Sequence, residues 1–71
     1  MESAVLAELA RLRSGTTLCP GELARRLGTT PRALRPLLGE LEARGALVVS
    51  QRGVVKPLRE VRGPYRVAPR R

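Results

Sequence analysis

The sequence predicts a mainly α domain with a small β-hairpin, an α+β fold in which residues 1–71 form a single domain. Three observations support this prediction. Leucines recur at helical spacing in three segments that glycines separate, an apolar run containing two valines follows the third segment, and glycine and proline are frequent after that run. A chain of 71 residues is long enough to bury one hydrophobic core without disulfides or metal.

The first two helices are short. Helix 1 is predicted over about residues 2–13, where the apolar side chains share one face, and Gly15 follows at the position of a helix stop. Helix 2 is predicted over about residues 20–27, since Pro20 suits the first turn of a helix and Gly28 suits its end. Both helices need the rest of the chain to bury their apolar faces.

Helix 3 is predicted over about residues 31–44, with Thr30 as its N-cap and Gly45 after its end. Pro36 lies inside this segment, removes one helical hydrogen bond and predicts a kink or an irregular first turn. Only residues 28–30 separate helix 3 from helix 2. Two helices joined by such a turn are typical of a helix-turn-helix.

A wing of two or three strands is predicted over about residues 46–68. Residues 46–50 form one strand by composition, and residues 65–67 form a shorter one that returns beside it. Residues 51–64 between them are expected to be a long hairpin loop, with Val54–Val55 extending the ladder. Three helices followed by this hairpin give the order of a winged helix-turn-helix.

The chain is strongly basic. It carries 14 Lys and Arg against six Glu, a formal net charge of +8, and Lys56 is its one lysine. Such a surface attracts polyanions, and the planar guanidinium of arginine suits bidentate contacts to phosphate. Residues 68–71 are expected to be a frayed basic tail.

Several classes of function are disfavoured by composition. Cys19 is the single cysteine and histidine is absent, so neither an internal disulfide nor a Cys/His metal site is expected. The glutamates are scattered, no Walker-type glycine loop is present, and no apolar run approaches the length of a membrane span. We expect a cytoplasmic protein that is not an enzyme and binds no cofactor, metal or small-molecule substrate.

The expected partner is nucleic acid, most readily duplex DNA. The outward side of helix 3 begins with Arg32 and Arg35, next to the cap residue Thr30, at the helix end that a winged helix places at the groove. The wing adds four bases against a single acid, and repulsion among them disfavours the cluster unless an anion is bound. The predicted nucleic-acid-binding residues are Thr30, Arg32, Arg35, Arg52, Lys56, Arg59 and Arg62.

Two alternatives remain open at this point. A winged helix need not bind DNA, and Pro36, Gly39 and Ala43 form a stripe of small side chains on helix 3 that suits a protein interface or a homodimer. RNA is the other alternative, but the near absence of aromatic side chains for base stacking disfavours it. The target sequence, the oligomeric state and the biological process are not determined by these patterns.

Four blocks of residues carry a resemblance to a known family. The sequence is similar to a small bacterial family of unknown function (domain of unknown function 3253), whose blocks match in order at residues 17–25, 32–36, 51–53 and 62–67. The resemblance implies a winged-helix-like fold and brings no reaction or ligand with it. The sequence departs from the family at Gly21, where serine is usual, and at Pro31, where a tryptophan is usual. Because the tryptophan is absent, packing at the start of helix 3 is expected to differ here.

Overall fold

In a computed structural model of the protein, which describes residues 1–70, three helices precede a three-stranded antiparallel sheet. The helices are α1 (Glu2–Ala10), α2 (Pro20–Leu27) and α3 (Pro31–Ala43). The strands are β1 (Leu47–Gln51), β2 (Val54–Val55) and β3 (Arg66–Pro69). This α+β architecture is consistent with a winged helix and confirms the fold class predicted from the sequence.

α1 ends at Ala10, whereas the sequence predicted its end near residue 13. The backbone amides of Arg11 and Leu12 donate to the carbonyls of Glu8 and Leu9, each three residues back, so the last turn tightens and α-helical pairing stops. Leu12 still packs against the core, which explains why helical spacing alone extended the prediction.

The helix-turn-helix has the predicted boundaries within one residue. α2 ends at Gly28, whose φ of 70° lies in the left-handed region that favours glycine. The hydroxyl oxygen of Thr30 then accepts the Ala33 amide at 3.1 Å and caps α3. α3 continues through Pro36 without interruption and ends at Ala43, so the proline does not divide it.

The sheet has the strand order β2-β1-β3. β1 pairs with β3 antiparallel, and the register sets Val49 opposite Val67 with both side chains buried. Leu18, in the connection between α1 and α2, adds an isolated antiparallel bridge to Val67. The sheet therefore ties the end of the chain to the segment that precedes α2.

Residues 51–64 are not the long loop that the sequence predicted. β1 turns directly into β2 through Arg52 and Gly53, and a short 3-10 helix follows at Leu58–Glu60. Leu58 and Val61 are buried in the core, so this segment folds back onto the domain. Glycines and prolines dominated the sequence-based interpretation and concealed these two apolar anchors.

The end of the chain is also more ordered than expected. β3 continues to Pro69, because Ala68 and Pro69 pair with Val48 and Leu47, so these two residues of the predicted tail belong to the sheet. Arg71 lies outside the described residues. Within residues 1–70, no helix has the length and apolar character needed to cross a membrane.

Candidate nucleic-acid interface

Four arginines on the helical side of the molecule are paired with glutamates. Glu22 contacts two bases of its own helix, and Glu8 joins α1 to α2 through the Arg26 guanidinium at 3.4 Å. Glu2 pairs with Arg44 and so joins the start of α1 to the end of α3. The ion pairs are Glu8 with Arg11 and Arg26, Glu22 with Arg25 and Arg26, and Glu2 with Arg44.

The bases of the wing are arranged differently. Arg52, Lys56, Arg59 and Arg62 are all exposed, and within residues 1–70 their side chains make no ion pair and no hydrogen bond. Glu60, the acid in this segment, is exposed and also makes no ion pair within the described chain. The structure thus leaves four cationic groups free on one segment.

Arg52 occupies an unusual backbone position at the tip of the wing. Gln51 pairs with Val54, so Arg52 and Gly53 form a two-residue hairpin turn, with φ values of 54° and 80°. This is the geometry of a type I′ turn, which favours Asn, Asp or Gly at both positions. A left-handed conformation costs a residue with a Cβ roughly 1–2 kcal/mol, and among residues 1–70 Arg52 is the only non-glycine that adopts a positive φ. Strained backbone positions cluster at functional sites, so this cost indicates a functional role for the Arg52 side chain.

Arg52 and Arg62 meet at a cleft of about 300 Å³ beside the hairpin. We call it the arginine cleft, and its lining residues are Gln51, Arg52, Arg62, Pro64, Tyr65 and Arg66. The Gln51 side-chain amide donates to the carbonyls of Arg62 and Pro64 and so fixes the segment that forms one wall. Among residues 1–70, no acidic residue lines this cleft.

Arg66 joins Arg52 and Arg62 at the arginine cleft, although it is not among the binding residues predicted from the sequence. Its Nε donates to the Thr17 hydroxyl at 2.9 Å and its Nη2 to the Thr17 carbonyl at 3.1 Å, which fixes the guanidinium against the connection before α2. Alternation along β3 places Arg66 on the face opposite the buried Val67. That signal was available from the sequence, but the meeting with Arg52 depends on the path of residues 56–65.

Arg35 makes its contacts within the molecule. Its Nη2 donates to the carbonyls of Leu58 and Val61 at 3.0 and 3.1 Å, and its guanidinium carbon lies 5.5 Å from the centre of the Tyr65 ring. Both carboxylate oxygens of Glu42 accept the Leu58 amide, at 3.0 and 3.1 Å. α3 therefore holds the 58–61 segment through one cationic and one anionic side chain, and Arg35 acts first as a positioning residue for the wing.

Tyr65 lies beneath the Arg35 guanidinium and is nearly buried, with 7% of its surface exposed. Burial raises the pKa of its hydroxyl above the usual value of 10.0, since the charged phenolate is poorly solvated there. The Arg35 guanidinium opposes this rise in pKa, and Cys19 adds to it. The phenol is therefore neutral at physiological pH.

The remaining predicted residues lie at or beside α3. Thr30 caps the helix, and Arg32 is exposed in its first turn without a partner in residues 1–70. Arg59 and Arg35 both line a second cleft, of about 420 Å³, between α3 and residues 57–59. Arg32 and Lys56 line neither of the two clefts.

The stripe of small residues on α3 also faces this second cleft. Pro36, Gly39 and Ala43 line one wall, and Pro57 and Leu58 line the other. A Cβ added to Gly39 would lie 3.8 Å from the Leu58 side chain, an ordinary van der Waals distance. The nearest neighbour at Gly39 is thus a side chain of the same molecule, and Leu58 already covers one edge of the stripe.

Comparison with known proteins gives a family and no characterised relative. None of the curated proteins matches the chain. The family described as "Protein of unknown function (DUF3253)" matches residues 1–70, which include α1 to α3, the hairpin and both clefts. The chain belongs to this family.

Proposed function

We propose that this domain binds the phosphate backbone of duplex DNA and carries out no reaction itself. The proposal rests on the four exposed cationic side chains of the wing, which have no anionic partner within residues 1–70, whereas four arginines on the helical side pair with glutamates. Like charges in one segment repel each other, and Glu60 is the single acid among the four cationic side chains. Phosphates offset this repulsion, and the release of their counterions favours binding.

The helix-turn-helix supplies the second part of the surface. Arg32 offers a positive side chain in the first turn of α3, at the positive end of the helix dipole, which favours phosphate contact at a groove edge. Glu40 is exposed farther along the same helix and would repel phosphate. We therefore limit the groove contact to the first turns of α3, with Arg35 fixing Arg59 beside them through the 58–61 carbonyls.

Duplex DNA is favoured over single-stranded RNA because readers of unpaired bases stack them on exposed aromatic rings. The chain has one aromatic residue, Tyr65, and it is buried beneath Arg35. Recognition by charge and groove shape needs no such ring. This argument also favours sequence-tolerant binding over strict sequence specificity.

A salt titration against a short duplex tests the proposal. Five contacts, from Arg32 and the four wing bases, should give a slope of log affinity against log salt of about −4 to −5, at roughly 0.9 per phosphate. Lys56→Gln or Arg59→Gln should flatten the slope by about one unit at every sequence tested. Arg11→Gln is the charge-matched control, since Arg11 is exposed, pairs with Glu8 on α1 and lines neither cleft. Equal slopes for the wing variants and the control would contradict the proposal.

The cleft beside α3 favours a second candidate, a protein interaction module or homodimer. Pro36, Gly39 and Ala43 line an open cleft of about 420 Å³ whose other wall includes Pro57, so small and apolar surfaces remain accessible there. If a second copy uses this cleft, the protein should sediment as a dimer and Gly39→Arg should make it monomeric. A monomer at all concentrations, or a dimer that survives Gly39→Arg, would exclude this candidate.

A further inference from the structure

We propose that the arginine cleft binds one phosphate monoester group, of the kind found at the 5′ end of a DNA strand or on a free nucleotide. The inference extends the proposed function, on which its strand-end source rests. It goes beyond backbone binding because it assigns one local site and distinguishes the end of a strand from its interior. The observation behind it is the meeting of Arg52, Arg62 and Arg66 around one cleft that no acidic residue lines.

The charge of the cleft matches a monoester better than a diester. A phosphate monoester carries a charge of about −1.5 to −2 at neutral pH and offers three acceptor oxygens. A phosphodiester within a strand carries a single charge and has two of its oxygens in ester bonds. Three guanidiniums, each with a planar fork of donors, can serve three terminal oxygens. The unpaired state of Arg52 and Arg62 leaves their donors available.

The walls of the cleft are already arranged for an anion. Thr17 takes two of the donors of Arg66 and so fixes its guanidinium before any ligand arrives. Gln51 donates to the carbonyls of Arg62 and Pro64, which pairs two oxygens that would otherwise repel a phosphate. A site whose groups are held in place loses less entropy on binding.

The size of the cleft and its apolar surface suit a nucleotide. Its volume of about 300 Å³ lies at the lower end of the roughly 300–1,000 Å³ usual for small-ligand sites. Pro64 and the edge of Tyr65 provide apolar surface next to the three guanidiniums. Arg52 also holds a left-handed turn position where asparagine or glycine would be unstrained, which indicates that its side chain is used.

Two ligand series distinguish the sources of the phosphate. In the first, backbone amide spectra are recorded with inorganic phosphate, with a nucleoside 5′-monophosphate and with the matching nucleoside, at constant ionic strength. We expect both phosphates, and not the nucleoside, to shift the amides of Arg52, Gly53, Arg62 and Gly63. In the second series, two duplexes of one sequence differ only in a 5′-phosphate or a 5′-hydroxyl. We expect about tenfold tighter binding of the phosphorylated duplex, the effect of one added charge-assisted hydrogen bond.

Variants separate the cleft from the general backbone surface. Arg62→Gln should abolish the preference for the 5′-phosphate, and so should Arg52→Gly, which keeps a residue suited to the positive φ and should leave the hairpin folded. Arg59→Gln lies outside the cleft, so it should weaken both duplexes equally and preserve their ratio. Arg11→Gln also lies outside the cleft and should leave the ratio of the two affinities unchanged.

The outcomes keep the two proposals apart. Equal affinity for the two duplexes, together with no amide shift from phosphate or the nucleotide, would overturn this inference while leaving duplex binding standing. Phosphate and nucleotide shifts at the cleft without duplex binding would support the inference with a free nucleotide as the ligand, and would contradict the proposed function. A 5′-phosphate preference that persists in both Arg62→Gln and Arg52→Gly would place the site elsewhere and overturn the inference.

Discussion

The helical side and the wing are both rich in arginine, but the two regions place their charges in opposite ways. On the helical side Arg11, Arg25, Arg26 and Arg44 all lie within an ion pair. In the wing the four bases between residues 52 and 62 have no ion-pair partner within the described chain. The fold therefore balances charge on one side and concentrates positive potential on the other.

The net charge of +8 therefore does not indicate which side of the molecule an anion would bind. Three glutamates pair with arginines on the helical side, whereas in the wing segment Glu60 stands against four cationic side chains. Exposed ion pairs contribute little to stability, with typical values of about 0.2–1 kcal/mol. Their larger effect here is to shape the electrostatic field.

Removing charge from each region in turn tests whether the wing or the total charge governs duplex affinity. Replacing Arg52, Lys56, Arg59 and Arg62 with Gln should lower duplex affinity by between three and four powers of ten at roughly 0.1 M salt, since each phosphate contact contributes about 0.9 of a decade there. Arg11→Gln with Arg25→Gln removes charge from the helical side and should lower affinity far less. Fluorescence anisotropy measures both. A similar loss in the two sets would mean that total charge alone governs binding.

The second prediction concerns the attachment of the wing. Leu58 is 3% exposed, so Leu58→Ala should lower the free energy of unfolding by about 2–4 kcal/mol through lost burial and a residual cavity. Arg35→Ala removes hydrogen bonds to two carbonyls at a partly exposed site and should cost only about 1 kcal/mol. Urea unfolding measures both variants. A negligible effect of Leu58→Ala would show that residues 57–61 are not fastened to α3.

The third prediction concerns α3 itself. Gly39→Ala should raise the free energy of unfolding by about 0.5–1 kcal/mol, because alanine is the better helix residue and its methyl group meets Leu58 at an ordinary 3.8 Å. Thermal and urea unfolding provide the measurement. Destabilisation by Gly39→Ala would indicate that the 57–59 segment packs more tightly on the helix than this distance implies.

The smallest effect is expected at high pH. Tyr65 is the only tyrosine, so the ultraviolet absorbance of its phenolate reports one group, with a midpoint above 10.0 in the folded protein and near 10.0 in denaturant. The neutral phenol is the form that the fold favours, so its contribution to stability is complete below the unfolded pKa and falls as pH rises above 10.0. Tyr65→Phe should remove this alkaline loss. Arg35→Ala should move the folded midpoint higher, and a shift to lower pH would contradict the proposed contact.

The helices were predictable because their signals are local. Leucine spacing, Thr30 as a cap and Gly28 as a stop each act within one or two turns, and the predicted ranges of α2 and α3 agree with the structure within one residue. The pairing of β1 with β3 followed from two apolar runs of the expected lengths. α1 was overextended because Leu12 keeps the helical spacing after the helical hydrogen bonds end.

The clefts were less predictable because they depend on contacts distant in sequence. Arg35 was interpreted as a groove residue, but its donors reach carbonyls 23 and 26 residues away, which no local pattern indicates. The cluster of Arg52, Arg62 and Arg66 forms only once Leu58 and Val61 return the chain to the core. The sequence supplied the wing bases as candidates, and the tertiary path decided which of them meet.

The short strand β2 has a consequence for how the molecules behave in solution at high concentration. Val54 and Val55 form the edge of the sheet and are 56% and 70% exposed. An exposed strand edge of this kind can pair with the same edge of another copy. Arg52 and Lys56 flank this two-residue edge, so two copies that approach edge to edge bring like charges together. Added salt screens that repulsion, so self-association through β2 should strengthen as the salt concentration rises. The same rise in salt would release a bound polyanion.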